Sequence, residues 1–262
     1  MQKPLENAHG EDSFGRDLGL DLRFTLLPQF LRRHFGYRTV AIGKWHLGFK
    51  NSSYLPPARG FDAFFGWYSG AMDYFAHTVT GFGGAYPALH DGGRPVLDSR
   101  GEYSTDLFAR RAAQAIADFG AEQRRRRAGS PRALFLYLCF QAVHSADNAL
   151  LQAPRAALRR HRAIGPRTCA RDAATAAAPP ERPGCGRVAM RRTVAAMVSR
   201  LDAGLGRVRR ALEAAGMWAR TLFVFSTDNG GAVDGFNGNM GSKYADLRLE
   251  PLTSRSAARP IC

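Results

Sequence analysis

The chain has 262 residues, enough for one large domain or two small ones, and a formal net charge of +15 at pH 7. No apolar run reaches spanning length, which excludes a transmembrane helix, and the polar start MQKPLENAHGEDSFG lacks the apolar stretch of a secretory signal. Arginine supplies most of the excess charge, in the run Arg124–Arg127 and again between Arg155 and Arg192; no aromatic residues interleave it, so base stacking is not indicated and a solvated loop is the plainer reading.

Taken in chain order, Thr25 to Phe35 reads as a helix capped by Thr25 and ended by Gly36, with Leu27, Phe30, Leu31 and His34 as its inward stripe. Tyr37 to Ile42 reads as a strand that runs into IGKWHLGFK. In an extended segment Lys44 and His46 share one face and Trp45 the other, so Trp45 can anchor the segment while a cation and an imidazole look into a cleft. That pair suits an anion such as phosphate, sulfate or carboxylate. Asn51 to Gly60 is a loop, Phe61 to Phe75 an aromatic, Gly-rich stretch that walls a cleft or packs a core, and residues 76 to 102 a loop or weak hairpin.

Ser104 caps an expected helix to about Phe119, and Ala133 to Phe140 is a continuous apolar segment suited to a strand covered on both faces, ending at Gln141-Ala142-Val143-His144. Residues 145 to 190 lose periodicity. Val194, Met197, Val198, Leu201, Leu205, Val208 and Leu212 then mark an amphipathic helix ended by Gly216. Thr221 to Phe225 reads as a further buried strand leading to Ser226-Thr227-Asp228-Asn229. The four cysteines, Cys139, Cys169, Cys185 and Cys262, show no C-x-x-C spacing, which argues against a zinc site. His9, His77, His90 and His161 read as ordinary surface or loop residues.

Helices alternating with strands indicate an α/β architecture with parallel strands, in which function collects beyond the carboxyl ends of the strands. All three expected strands end in chemically capable residues: Lys44 and His46, then His144, then Asp228 and Asn229. GKWHLG, RGFDAFFGWYSGAMDYF, YSTDLFARRA, LFLYLCFQAVH, MVSRLDAGLGRVRRALEAAGMW and TLFVFSTDNGG, in that order, resemble the sulfatase family, within it an arylsulfatase B-like group. The resemblance covers about Leu26 to Tyr74, Tyr103 to His144 and Thr193 to Gly231.

It implies an alkaline-phosphatase-like α/β sandwich, with a mostly parallel central sheet and helices on both faces, incomplete at both ends. The whole chain would be one partial catalytic domain, with an Arg/Ala/Pro-rich insert over 145–192. The implied activity is hydrolysis of sulfate esters by formylglycine chemistry assisted by Ca2+, acting on a sulfated small molecule or glycan. The family's roles fall on Lys44 (sulfate and nucleophile contact), His46 (breakdown of the sulfated intermediate), His144 (sulfate near the leaving oxygen) and Lys243 (sulfate and leaving group). Asp228 and Asn229 fall on calcium ligands. A lysosomal or secretory setting is implied too, in which the sequon Asn51-Ser52-Ser53 would be meaningful.

The departures are equally specific. No cysteine precedes Cys139, no serine lies in S-x-P-S-R, and no Asp-Asp pair occurs. The family's nucleophile and part of its calcium set are therefore missing, and the expectation is a chain that does not turn over. A sheet lacking an interior strand is also expected to be marginally stable or prone to aggregate. The competing readings are a non-catalytic anion-binding remnant and, more distantly, a basic protein that binds nucleic acid without sequence specificity.

Overall fold

The computed structural model describes residues 19–81, 84–126, 132–149, 151–164 and 188–228. The chain divides into two compact units, Met1–Leu222 and Phe223–Cys262. Among the described residues the first unit is organised by a five-stranded sheet, in the order Arg94–Pro95 (β6), His90–Asp91 (β5), Ala63–Trp67 (β2), Arg38–Lys44 (β1) and Leu134–Cys139 (β7). At its centre β1 (Arg38–Lys44) pairs in parallel with β2 (Ala63–Trp67) on one side and β7 (Leu134–Cys139) on the other. Register is tight at the carboxyl ends: Lys44 lies opposite Trp67, and Gly43 lies opposite both Gly66 and Cys139.

Two glycines make that register possible. Gly43 has φ +103°, and a Cβ there would run into the Cys139 carbonyl, while a Cβ on Gly66 would strike the Gly43 carbonyl. The other end is fixed by Asp62, whose carboxylate accepts from the Thr39 N–H (3.0 Å) and hydroxyl (3.1 Å) and pairs with Arg32. Of the two alternatives for residues 76 to 102, a loop or a weak hairpin, the structure has the second, as two short hairpins. One pairs β3 (Thr78–Gly81) with β4 (Gly84–Pro87); the other pairs β5 (His90–Asp91) with β6 (Arg94–Pro95) and joins the sheet antiparallel to β2.

Alternation sorts the strands' side chains onto two faces. Val40, Ile42, Phe65 and Trp67 pack beneath α2 (Ser104–Arg125) and α4 (Val188–Ala214), against Leu107, Phe108, Ile116, Val208 and Leu212. These helices approach closely because Gly204 faces Ala109 and Phe140, and Arg200 of α4 pairs with Asp106 of α2. Ala41, Trp45, Phe61 and Phe64 form the second face, reached by Leu26 at the start of α1 (Leu27–Phe35). Between β7 and α4 lies the six-residue α3 (Arg155–Arg160), inside the stretch that showed no periodicity.

Several expectations are corrected. Gln29 Oε1 accepts the Leu26 N–H at the start of α1, so the helix is capped one residue after Thr25, and Leu27 and Phe30 are exposed rather than inward. Tyr103, not Ser104, is the N-cap of α2; the Ser104 hydroxyl donates instead to Gln141 Oε1. Strand β7 is not covered on both faces: Tyr137 is 41 % exposed, and β7 is the last strand of the sheet among the described residues. Thr221 to Phe225 forms no strand, with Leu222 89 % and Val224 76 % exposed. Apolar, β-branched composition gives a segment the propensity, but only a ladder partner makes it a strand.

Substituting Gly43→Ala should cost more than about 2 kcal/mol of unfolding free energy in urea titrations, because the residue needs both a left-handed φ and room for a carbonyl. Charging the last strand with Tyr137→Lys should slow aggregation on heating several-fold, followed by light scattering; an unchanged rate would mean that β7 is not the adhesive edge.

Candidate active site at the carboxyl end of the sheet

Lys44 closes β1 on the face of Val40 and Ile42. Trp45 turns to the other face as expected and is buried there, edge-on to Phe61 at 6.0 Å. Its indole N–H is directed between the carbonyls of Gly48 (3.1 Å) and Tyr54 (2.9 Å). Its backbone N–H donates to Trp67 O (2.9 Å), and that of His46 donates to Tyr68 O (3.0 Å), prolonging the register past the end of the strand.

Simple alternation stops there. His46 has φ 51°, a left-handed conformation uncommon outside glycine and costing on the order of 1–3 kcal/mol unless its surroundings impose it. Its imidazole is therefore aimed by a backbone turn, not by strand pleat. Gly70, beyond β2, makes room for the ring: a Cβ there would sit 3.1 Å from both Cε1 and Nε2.

His144 follows β7, the other neighbour of β1. A tight turn carries it, with its N–H donating to Gln141 O (2.8 Å). Its Nδ1 lies 3.0 Å from Ser145 O. A carbonyl can only accept, so in the neutral ring Nδ1 carries the proton and Nε2 the lone pair. Lys44, His46 and His144 thus leave adjacent strands at one edge of the sheet. No sequence signal isolated what holds them.

That support is a polar scaffold around Asp73, Tyr74, Gln141 and Gln152. The Tyr74 hydroxyl donates to His144 O (2.8 Å), while its N–H donates to Gln152 Oε1 (2.7 Å). Gln152 also donates to Asp73 Oδ2 (2.7 Å), and its carbonyl accepts from the Tyr103 hydroxyl (3.0 Å). Gln141, fully enclosed, bridges Ser104 to the Met72 carbonyl. Burial opposes ionisation of Asp73, but bonds from the Ala76 N–H, Gln152, the Phe75 N–H and Asn148 outweigh it and hold the carboxyl below its usual range. Burial pushes the Tyr74 hydroxyl up, which keeps it a donor. The aspartate followed by two backbone N–H groups that it receives is the one local signal available in the sequence.

His77 was expected at the surface and is 2 % exposed, within this same scaffold. Burial, the dominant influence, lowers its pKa, opposed by the carbonyls of Glu102 and Tyr74 and by the Asp73 and Glu102 carboxylates. Of the other expected site residues, Asn229 and Lys243 lie outside the described residues, and Asp228 belongs to the second unit.

The Sulfatase family profile matches residues 8–254. The chain belongs to the sulfatase family. It is 33 % identical over 214 residues to Arylsulfatase J of Mus musculus, covering 81 % of this chain and 30 % of that protein. It is 28 % identical over 255 residues to an arylsulfatase of Klebsiella aerogenes, covering 84 % and 51 %. The chain thus spans about half or less of the curated sulfatases it matches along most of its length. The fold is likewise that of solved sulfatase relatives, alkaline-phosphatase-like, with a partly antiparallel sheet around a parallel centre. Ps i-CgsB, solved with k-i-k-neocarrahexaose, superposes with a TM-score of 0.57 at 23 % identity, over 78 % of this chain and 39 % of that one. The yidJ protein of Bacteroides fragilis gives 0.53 at 15 % identity, over 76 % and 42 %.

Sulfatases bind a metal cofactor. Among the described residues no group of three or more His, Cys, Asp or Glu side chains could hold an ion. Of the two expected ligands, Asp228 is described and Asn229 lies outside the described residues.

The buried His77 has a pH consequence. A histidine whose folded pKa lies below its unfolded value near 6.5 contributes stability that is complete above that value and is lost as pH falls towards the folded pKa. The melting temperature should therefore drop from pH 7.5 to pH 5, and His77→Gln should flatten that part of the profile in a pH series of thermal melts.

Proposed function

We propose that the carboxyl edge of the sheet is a sulfate-ester site. Lys44 would neutralise the non-bridging oxygens of the SO₃ group, and His144 would face the oxygen that leaves. His46 would exchange a proton with the bound group, and Lys243 would add a second cation near sulfate and leaving oxygen. The transition state of sulfate transfer spreads negative charge over these atoms, so cations fixed before reaction lower its energy without reorganisation. What supports the reading most is the conformation of His46: a left-handed histidine held at a strand end beside a glycine that clears its ring. Such backbone strain is kept where surrounding contacts enforce it, and it clusters at functional sites.

Asp228 and Asn229 would be the residues that hold Ca2+. They are two donors where that ion takes six to eight oxygens. The family's formylglycine has no precursor here, since no cysteine precedes Cys139 and no serine stands in its motif. The 262-residue chain is accordingly read as binding sulfate esters without turning them over. A sulfated glycan is the favoured ligand class, as the relative Ps i-CgsB was solved with a neocarrahexaose. A lysosomal or secretory setting fits the arylsulfatase relatives and the exposed sequon at Asn51. No described helix is long and apolar enough to cross a membrane.

Calorimetric titration with a chromogenic aryl sulfate tests this. Binding should weaken about tenfold in Lys44→Ala, the loss of a charge-assisted hydrogen bond, and no coloured product should form with either protein. Equal affinity in the variant would refute the site, and turnover by the wild-type chain would refute the inactivity.

A further inference from the structure

One basic element is left unexplained by the sulfate site. The stretch from Leu151 to Ile164, LQAPRAALRRHRAI, carries Arg155, Arg159, Arg160 and Arg162 and no acidic residue. All four arginines are exposed, and no described acidic side chain pairs with Arg155, Arg159 or Arg160. Arg155 and Arg159 stand four apart on α3, where like charges disfavour the helix. Six residues are also too few for a helix to persist unaided.

Yet this helix is built in. Ala157 is buried, His161 Nε2 lies 2.7 Å from the Ser199 hydroxyl of α4, and Arg192 of α4 donates to Ile164 O at 2.7 Å. At its other end Gln152, three residues before Arg155, is fixed to Asp73 and Tyr74, and Tyr74 in turn holds the His144 carbonyl. The arginine face is therefore anchored through the same scaffold that carries the candidate sulfate-binding histidine. A merely solvated loop would need no such anchoring.

We propose that α3 is an extended subsite for a linear sulfated polysaccharide, with Arg155, Arg159 and Arg160 binding sulfate groups on sugars next to the one held at Lys44 and His144. This rests on the sulfate-site reading above and narrows its favoured ligand from a sulfated glycan to a polymeric one with several sulfate groups in line. Guanidinium groups bind sulfate through paired N–H donors and stay charged at all relevant pH. A nucleic acid is the poorer fit: the segment offers no aromatic platform for bases.

The test uses the full chain and dextran sulfate as probe, titrated at several salt concentrations around 150 mM. The triple variant Arg155→Gln, Arg159→Gln, Arg160→Gln should bind at least about tenfold more weakly and lower the slope of log affinity against log salt by about 2. A control with the same charge change, Arg94→Gln, Arg100→Gln, Arg207→Gln, should lose less than about twofold. The triple variant Arg155→Lys, Arg159→Lys, Arg160→Lys, which keeps the charge but not the paired donors, should bind more weakly than the native chain and more tightly than the glutamine triple, and far-UV circular dichroism should show each variant folded.

Equal losses in the two glutamine triples would reduce the effect to net charge and overturn the subsite. Single-stranded DNA bound as tightly as dextran sulfate, and lost in the same variant, would overturn it in favour of nucleic acid. The aryl sulfate titration separates the two readings. The α3 triple should leave that affinity within about twofold. If instead Lys44→Ala leaves aryl sulfate binding unchanged while the α3 contrast persists, the sulfate site fails and the polyanion surface stands.

Discussion

Everything at the candidate site depends on how closely β1 approaches its two parallel neighbours. Gly43 gives its position to the carbonyl of Cys139, and Gly66 gives its own to the carbonyl of Gly43. With no side chain at either position, three strands reach their carboxyl ends in one register, Lys44 beside Trp67 and Gly43 beside Cys139. Lys44 and His46 follow from β1 and His144 from β7, segments far apart in sequence, and this shared ending brings them to one rim of the sheet. A sheet slipped by one residue would send Lys44 to the opposite face.

Trp45 and Tyr74 are the means by which the rim is kept rigid. Trp45 fills the second face and directs its indole N–H to two carbonyls, so the residue after it can be held left-handed. The cost of that φ is of the same order as one or two good hydrogen bonds. Tyr74 does the corresponding task for His144 from below, through a hydroxyl whose proton burial keeps in place. Each imidazole is thus positioned through a buried aromatic residue carrying a polar tip, the kind of side chain that can serve core and site together.

What the sequence made legible follows from the range of the interactions involved. The α/β class, the helices α2 and α4, and the strand delivering Lys44 were legible because periodicity and composition report burial directly. Trp45 as anchor was legible from pleat alone. The direction of His46 was not, because it depends on one backbone torsion that nothing in GKWHLG prescribes locally. The tertiary partners of Asp73, Gln141, Tyr74 and Gln152 were hidden for a different reason: their partners lie 37 to 79 residues away, at distances over which residue types carry no pattern. His77 was misjudged on the same ground, since its enclosure comes from loops that have no periodicity of their own. Helix α1 shows the converse error: its spacing is amphipathic, but Leu27 and Phe30 face outward, while Leu26 at its start packs against the second face.

The apolar runs in Leu134–Cys139 and Thr221–Phe225 show what composition can and cannot decide. Both are rich in Leu and Phe, and both were expected to be buried strands. The first is a strand because β1 offers it a ladder, yet it leaves Tyr137 partly exposed at the sheet's last described position. The second has the same propensity and no described ladder, and it takes no regular secondary structure. Backbone polar groups, not side chains, make the difference: a strand's N–H and C=O groups must be met by a neighbour or by water, and in Thr221–Phe225 no neighbour among the described residues meets them as a ladder. In the proposed reading, an anion at Lys44 and His144 would rest on β1 and on the turn after β7, whereas a metal held through Asp228 would rest on the second unit.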